Sequence, residues 1–533
     1  MTNKPLHTLF FTLYPILVLL SVNIAEIQLS DSYRAILFLL FLSLLVLTFL
    51  RFILKDWMKA SLLTSFYLIA FSSYGHFYTL IKGVELAGFR IGRHSLLLVV
   101  WGGMLILGSW WLLVRVKDYS GLSKGLNIVS LFLLVIPVFS IADYYLQSRL
   151  PSSILEDVKY ENVEFEGEPP DIYYIILDQY TRADVFQQKY KYDNYGFINE
   201  LEKLGFYVAD ESTSNYHSTL LSLSSSLNMD YINWLQDIYG SDANTNEPFG
   251  ELLSGNQVFK IFRKAGYQIV AFKSGVYRTE FRNADHYIQS GTKPADLSTA
   301  GWPLNSFESL YLESTLARVL FDTRLIVKEK EVKPIEVGYE LHRIEILHTL
   351  SHLSDFAGQD GNYLVFAHVV APHAPFVFGP NGEKIEHDEP FSLSPLGYNI
   401  GSEEYTQMYV DQTRYLNTLV LDAVETILES STTPPIIIIQ GDHGTAGYAK
   451  REDIPKLNMK ERHAILNAYY FPDGKTDLLY PTISPVNTFR VVLNTYFNGK
   501  YEMLPDKNYF NPSQRQFDYI DVTNRVHSDE LIP

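Results

Sequence analysis

Two stretches decide the fold: IYYIILD at residues 172–178 and IIIIQGDHG at residues 436–444. Both open with a continuous apolar run of strand length, which is typical of strands that are covered on both faces in a parallel sheet. Helical periodicity separates such runs, for example over 405–428. The sequence therefore predicts an α/β domain with a mainly parallel central sheet. Its other predicted strands are Tyr267–Phe272, Tyr363–Ala367 and Ile465–Phe471.

Acidic and imidazole side chains follow the two quoted strands. Asp178 comes directly after the first strand, and Asp442-His443 follows the second. In open α/β sheets, ligands bind beyond the carboxyl ends of the strands, so these side chains can converge on one metal ion. Carboxylate and imidazole ligands suit zinc or manganese, and carboxylates also suit magnesium or calcium. The alternative is that each Asp is only a turn or helix-capping residue.

A hydroxyl-rich loop, SNYHSTLLS at residues 214–222, runs into a predicted helix that extends to about Leu227. A hydroxyl at the start of a helix faces free N–H groups and the positive end of the helix dipole, which stabilise an alkoxide or an incoming anion. A neighbouring divalent cation would lower the pKa of that hydroxyl further. Thr219 is therefore a candidate nucleophile, although Thr219 or Ser218 could be a simple N-cap.

Two histidines flank a third predicted strand end, in HVVAPHAP at residues 368–375. Histidine can bind a phosphate or sulfate oxygen, protonate a leaving group or ligate a second metal. Because prolines stiffen the loop around it, His373 is the stronger candidate. His368 lies within the end of the strand, where a structural role is the alternative.

The first 150 residues differ from the rest in composition. They hold 12 Lys and Arg against 6 Asp and Glu, while the whole chain has 43 against 60 and a formal net charge of −17. Five apolar segments approach the roughly 20 residues that span a bilayer. The clusters of Lys and Arg between segments two and three and between four and five predict a cytoplasmic N-terminus and an external C-terminal domain. Buried core helices are the alternative. The segments are Leu9–Ile27, Ala35–Leu54, Ala60–Ile81, Leu96–Val114 and Leu126–Tyr145.

The remainder of the chain is strongly acidic, which argues against a nucleic-acid partner. The sequence has no cysteine, so disulfides, cysteine metal sites and cysteine nucleophiles are excluded. A polar, acidic stretch at 147–168 predicts a linker between a bundle at 1–146 and a soluble domain at 169–533.

Together these motifs resemble the sulfatase/alkaline phosphatase superfamily. Thr219-x-x-Ser222 and the His368/His373 pair are similar to motifs of the membrane-anchored phosphoethanolamine transferases and lipoteichoic acid synthases, which also carry five transmembrane helices. The resemblance implies a metal site of Asp178, Thr219, Asp442 and His443, with Thr219 as nucleophile. It also implies that His373 acts in catalysis and that His368 and Arg282 contact the substrate. Arg278 competes with Arg282, and a solvated surface charge is the alternative for both.

The resemblance implies a multi-pass membrane enzyme whose catalytic domain lies on the extracytoplasmic side. This enzyme would move a phospho-substituent from a lipid donor to a glycan or lipid acceptor. A sulfatase-like or phosphodiesterase hydrolase would use the same site, and a degenerate membrane scaffold is a further alternative. Departures from the family are Asp178 where the transferases often have Glu, and the absence of a second histidine close after Asp442-His443. The next histidine is His463. A formylglycine sulfatase is disfavoured, because no Cys-x-Pro-x-Arg motif is present.

Overall fold

The structure is a computed structural model that forms two compact units. The first unit comprises Met1–Gln147, Lys293–Gly338 and His387–Phe391, and the second comprises Ser148–Thr292, Tyr339–Glu386 and Ser392–Pro533. Most of the predicted linker at 147–168 lies outside the described residues. The structure describes residues 4–24, 29–82, 84–86, 89–90, 92–146, 165, 167–292, 305–322, 336–387, 391–393, 402–445, 454–512 and 515–528.

The first unit contains one helix for each predicted apolar segment. Three spans, Leu29–Leu54, His94–Arg115 and Tyr119–Tyr145, are long and apolar enough to cross a membrane, and most of their side chains are not buried within the protein. The first helix is apolar but shorter. Apolar helices with an uncovered apolar surface are typical of a membrane protein, while five crossings stay a prediction. The helices are α1 (His7–Asn23), α2 (Tyr33–Leu54), α3 (Trp57–Ile81), α4 (His94–Trp110) and α5 (Tyr119–Leu146).

Two short helices from later in the chain, Ser306–Glu313 and Arg318–Asp322, also belong to the first unit. Glu308 pairs with Arg34 at the start of α2. The Gly75 N–H donates to the carbonyl of Ser314 at 3.0 Å. A Cβ at Gly75 would lie 2.0 Å from the carbonyl oxygen of Glu313, so the glycine permits this close approach.

The second unit is built around a seven-stranded sheet. Its strands are β1 (Ile172–Leu177), β2 (Tyr207–Val208), β3 (Gln268–Phe272), β4 (His286–Ile288), β5 (Tyr363–Val369), β6 (Ile436–Gly441) and β7 (Asn467–Tyr470). Their order across the sheet is β2-β7-β6-β1-β5-β3-β4. The pairings β1–β5, β1–β6, β3–β5 and β3–β4 are parallel, and among these described strands only β7 runs antiparallel to its neighbours β6 and β2. The predicted mainly parallel sheet is therefore confirmed.

The central strands are buried along their whole length, as their continuous apolar runs predict. On one face, Tyr174, Phe366 and Ile438 pack with Phe262 and Phe489 from two covering helices. The register places Leu177 opposite both Val369 and Gly441. As a result, the residues that follow β1, β5 and β6 leave the sheet at the same level.

Two small two-stranded ribbons are separate from this sheet. The two-residue pairs are Glu85–Leu86 with Phe89–Arg90 in the first unit, and Tyr509–Phe510 with Ile520–Asp521 in the second. The remaining α-helices are Ala183–Lys189, Tyr195–Lys203, Thr219–Ser226, Leu235–Tyr239, Glu247–Ser254, Gln257–Lys264, Val337–His352, Glu403–Ser430, Met459–His463, Pro485–Tyr496 and Thr523–Ser528.

Candidate metal centre and nucleophile

Asp178 and Asp442 meet at the carboxyl edge of the sheet, because β1 and β6 are adjacent and end in register. Both side chains are buried. The Gln179 N–H donates to Asp442 Oδ1 at 3.0 Å, and Gln179 adopts a positive φ of 61° at the turn after β1. The backbone of one strand end thus holds the carboxylate of the other.

His443 aims its Nε2 atom at both carboxylates. Its Nδ1 atom lies 2.8 Å from the carbonyl oxygen of Gly444, so Nδ1 carries the proton and Nε2 keeps a lone pair. The Nε2 atom lies 3.4 Å from Asp442 Oδ2 and 3.8 Å from Asp178 Oδ1. Burial lowers the pKa of His443 to about 3, so the ring is neutral at pH 7. A neutral imidazole is the form that binds a metal.

These atoms fit a cation. Within the described residues, Asp178 Oδ1 and Asp442 Oδ2 are buried without a hydrogen-bond partner. Two carboxylate oxygens and an imidazole lone pair therefore face one another, which is costly unless a proton or a cation joins them. In a tetrahedral zinc site with bonds of about 2.0–2.1 Å, neighbouring ligand atoms lie about 3.3–3.4 Å apart. His443 Nε2 lies 3.4 and 3.8 Å from the two carboxylates, and ligand atoms of Asp178, Asp442 and His368 lie within 4.8 Å of one another. The donor set also suits manganese.

Thr219 completes this cluster. Its Oγ1 atom lies 3.3 Å from His443 Nε2 and 3.5 Å from Asp178 Oδ2. Thr219 is the first residue of the helix Thr219–Ser226, and the N-cap residue Ser218 makes no side-chain capping bond. Because the Thr219 hydroxyl faces the carboxylates and the imidazole, it differs from a simple capping group.

The loop before Thr219 is fixed by polar contacts from distant parts of the chain. The Ser214 N–H donates to the carbonyl of His463 at 2.7 Å, and His463 Nδ1 lies 2.9 Å from the carbonyl of Ser214. The fully buried Asn215 donates to Ser484 Oγ and accepts from the Val486 N–H. These contacts set the entry angle of the helix and hence the position of the Thr219 hydroxyl.

The two carboxyl groups have opposite pKa shifts. Burial alone would raise the pKa of Asp178, but the charge of His373 and the contact with His368 together lower it below its usual range. Burial, together with the negative charge of Asp178, raises the pKa of Asp442. Two neighbouring carboxylates repel one another unless they share a proton or a cation.

The remaining predicted site residues lie at different distances from this cluster. His373 is half-buried, and its N–H donates to the carbonyl of Asp178 at 3.1 Å, so its loop adjoins the site. His368 is buried, with Nε2 at 3.2 Å from Asp178 Oδ2. The Arg282 side chain is 61% exposed and pairs with Glu280, whereas Arg278 is buried against Glu247. The described contacts do not bring either arginine to Asp178 or Thr219.

Comparison with known proteins gives low-identity structural matches only. No family model and no curated protein matches the chain. The C-terminal periplasmic domain of EcEptC from Escherichia coli is 12% identical, with a TM-score of 0.41 over 68% of this chain and 96% of that chain. The integral membrane protein lipooligosaccharide phosphoethanolamine transferase A from Neisseria meningitidis is 12% identical, with a TM-score of 0.36 over 92% of this chain and 95% of that chain.

A third similar structure is the C-terminal periplasmic domain of phosphoethanolamine transferase EptC from Campylobacter jejuni. It is 14% identical, with a TM-score of 0.35 over 61% of this chain and 89% of that chain. At such identities and TM-scores, the function of this chain rests on its own residues.

Gly444 is expected to be required for the shape of the cluster. A Cβ at this position would lie 2.1 Å from the carbonyl oxygen of Glu461 and 2.9 Å from the carbonyl carbon of Arg462, which are backbone atoms. We expect Gly444→Ala to lower the free energy of unfolding by about 1–3 kcal/mol, the usual cost of overpacking. Thermal unfolding of the full chain in detergent measures this.

The matched control is Gly196→Ala, in the exposed part of the helix Tyr195–Lys203, where an added Cβ meets no atom within 4 Å. Because alanine favours helix more than glycine does, this variant should be stabilised by roughly 0.5–1 kcal/mol. Equal stability of the two variants would show that the backbone beside His443 is not tightly packed.

Proposed function

We propose that the chain is a membrane-anchored, metal-dependent transferase that moves a phospho-substituent of the phosphoglycerol or phosphoethanolamine type from a lipid donor to a glycan or lipid acceptor. The proposal rests chiefly on the Thr219 hydroxyl, which begins a helix and faces His443 Nε2 and Asp178 Oδ2 at 3.3 and 3.5 Å. A hydroxyl in that position is arranged as a nucleophile.

Asp178, Asp442 and His443, with Thr219, would hold the divalent cation. When bound, the cation supplies positive charge that stabilises an alkoxide and neutralises phosphoryl oxygens. Its identity among zinc, manganese, magnesium and calcium is left open, although the imidazole favours zinc or manganese. The N–H groups in the first turn of the helix Thr219–Ser226 would add favourable positive potential for an anionic group beside Thr219.

In the first half-reaction, Thr219 Oγ1 attacks phosphorus as its proton is lost to solvent. The bond between phosphorus and the lipid alcohol breaks, and the phospho-substituent is left on Thr219 as a diester. His373, in the loop beside Asp178, protonates the departing alkoxide. Most of the rate enhancement comes from positioning and from charge neutralisation.

In the second half-reaction, an acceptor hydroxyl attacks the phospho-threonine and gives its proton to His373. The bond between phosphorus and Thr219 Oγ1 breaks, and Thr219 Oγ1 takes up a proton from solvent. A sugar or lipid hydroxyl makes the protein a transferase, and water makes it a hydrolase. The apolar helices α2, α4 and α5 favour transfer from a lipid, because they keep the enzyme at the surface where that donor resides. We place the soluble unit on the extracytoplasmic side, with the exposed Arg282 as a substrate contact.

Mass spectrometry of the full chain tests the covalent step. The purified protein is incubated in detergent with phosphatidylethanolamine or phosphatidylglycerol, quenched with acid and digested. We expect the peptide with Thr219 to gain the mass of the donor's phospho-head group, and Thr219→Ala to gain none. Ser218→Ala, which removes the adjacent hydroxyl, should still form the adduct. An adduct on Ser218, or none on a protein that turns lipid over, would overturn the nucleophile assignment.

The acceptor is tested separately with the same labelled donor. Addition of a glycan acceptor should move the label from lipid to glycan faster than water releases it. If the label appears only as free phospho-alcohol at every acceptor concentration, then the protein is a hydrolase.

A further inference from the structure

His368 lies between Asp178 of the metal cluster and the hydroxyl of Thr279, a residue with no role in the site described above. It is 1% exposed near the end of β5, opposite Ile176 in the sheet register. Its Nε2 atom lies 3.2 Å from Asp178 Oδ2, and its Nδ1 atom lies 2.8 Å from Thr279 Oγ1. Each ring nitrogen therefore has one polar contact, and those contacts are to different side chains.

Thr279 is itself rigidly held. It is fully buried, and its N–H donates to the carbonyl of Val276 at 2.9 Å. Its Oγ1 atom also lies 3.1 Å from Ser274 Oγ, and Ser274 Oγ accepts from the Val276 N–H at 3.1 Å. The Ser274 hydroxyl can thus donate to Thr279. The Thr279 proton then has two acceptors within reach, the Val276 carbonyl at 3.1 Å and His368 Nδ1 at 2.8 Å, of which the ring nitrogen is the nearer.

The carboxylate at the far end fixes the direction of this chain of hydrogen bonds. An ionised Asp178 only accepts, so the ring nitrogen that faces it has to carry the proton. In the neutral form of the ring, Nδ1 carries no proton and accepts from the Thr279 hydroxyl 2.8 Å away. The proposed hydrogen bonds are therefore donated by Ser274 to Thr279, by Thr279 to His368 Nδ1, and by His368 Nε2 to Asp178.

The two oxygens of Asp178 consequently have different surroundings. Oδ2 faces His368 at 3.2 Å and, more distantly, the Thr219 hydroxyl at 3.5 Å, whereas Oδ1 is an unpartnered buried atom among the described residues and faces His443 Nε2. A carboxylate that is fixed through one oxygen presents the other in a defined direction. Ligands fixed by hydrogen bonds in this way bind metal more tightly.

We propose that Thr279 and His368 are positioning residues for the cation site. The Thr279 hydroxyl selects the Nε2–H tautomer of His368, and that N–H holds Asp178 so that Oδ1 points at the cation. The inference rests on the cation site of the proposed function, but it does not depend on which group is transferred. It also gives His368 a role other than direct contact with substrate.

Metal affinity measured on the full chain tests the Thr279 step. Zinc binding is measured by competition with a chelator, using wild-type protein and two matched variants. Thr279→Val removes the hydroxyl at nearly constant shape and should weaken zinc binding about 10- to 100-fold, the usual cost of losing such a support. Thr279→Ser keeps the hydroxyl and should remain near wild type. Equal affinities for the Val and Ser variants would overturn the proposal.

The His368 step has its own matched pair. His368→Gln keeps an N–H donor near the position of Nε2, whereas His368→Leu removes it. We expect one zinc per chain in both, with affinity weakened about 10- to 100-fold in the Leu variant and largely retained in the Gln variant. Complete loss of zinc from the Gln variant would make His368 a direct ligand and overturn the positioning role.

Nitrogen-15 NMR of histidine-labelled wild-type protein tests the proposed tautomer directly. The His368 signals, assigned by their loss in His368→Gln, should show a protonated Nε2 and an unprotonated Nδ1. A protonated Nδ1 would overturn the proposed direction of the hydrogen bonds. Normal zinc affinities without any adduct on Thr219 would instead overturn the proposed function alone.

Discussion

Replacing Thr219 with Ala is expected to lower the rate of phospho-group transfer by about 10⁴- to 10⁶-fold, the range seen when a catalytic nucleophile is removed. The Thr219 hydroxyl is the only described aliphatic hydroxyl that contacts both Asp178 and His443. Its loss removes the atom that forms the bond to phosphorus and leaves the side chains of Asp178, Asp442 and His443 in place. Steady-state transfer from labelled lipid, at saturating metal, measures the effect.

The matched variant is Thr219→Ser, which keeps a hydroxyl at the start of the helix and should retain measurable transfer. Circular dichroism should be close to wild type in both variants, because Thr219 is partly exposed and contributes little to the core. Metal loading is verified at saturating metal, because Thr219 is itself a proposed ligand. If Thr219→Ala kept transfer within tenfold of wild type while folded and metal-loaded, the reaction would not pass through this residue.

Asp442→Asn is expected to have opposite effects on metal binding and on the stability of the metal-free protein. The substitution removes a charged ligand, so we expect metal affinity to fall at least about 100-fold and transfer to fall with it. It also removes one of two buried carboxylates that repel each other. Metal-free Asp442→Asn should therefore be more stable than metal-free wild type at pH 8, by on the order of 2–4 kcal/mol.

The pH dependence follows from the raised pKa of Asp442. A carboxyl group whose pKa is higher in the folded than in the unfolded state binds more protons when folded, so it opposes folding as the pH rises. Burial and the charge of Asp178 raise this pKa from 3.8 to about 7. Metal-free wild type should therefore lose stability between about pH 4 and pH 7, and Asp442→Asn should lose less over that range.

Chemical denaturation with and without chelator, at pH 5 and pH 8, measures both effects. Asp422→Asn, an exposed carboxyl on the helix Glu403–Ser430, serves as the control and should behave as wild type. A metal-free Asp442→Asn protein that is less stable than metal-free wild type at pH 8 would show that the two carboxylates do not repel one another. The cation would then have no such repulsion to relieve.

Strand ends were the most predictable part of the site. The apolar runs before Asp178 and Asp442 could only be strands covered on both faces, and parallel strands end at a common edge. The start of the helix at Thr219 followed from the change from a polar loop to helical spacing. Strands β2 and β4 were not predicted, because two or three residues carry too little periodicity to be recognised.

Other features depended on long-range contacts that leave no local pattern. Thr279 supports His368 across 89 positions of sequence, and nothing near Thr279 distinguishes it from an ordinary turn hydroxyl. Ser306–Glu313 packs on the apolar helices through the buried Phe307 and Tyr311, and the Arg34–Glu308 pair in the same region spans 274 positions. The exposed Arg282 pairs with Glu280, and its local sequence does not distinguish a substrate contact from a solvated surface charge.

The most direct test of a shared cation is anomalous X-ray diffraction from crystals of the full chain grown with zinc, recorded on both sides of the zinc absorption edge. The account predicts one strong anomalous peak that is bonded to Asp178, Asp442 and His443 and adjacent to the Thr219 hydroxyl, at bond lengths of about 2.0–2.2 Å for nitrogen and carboxylate ligands. A well-ordered site without such a peak, or a peak bonded to other residues, would contradict it.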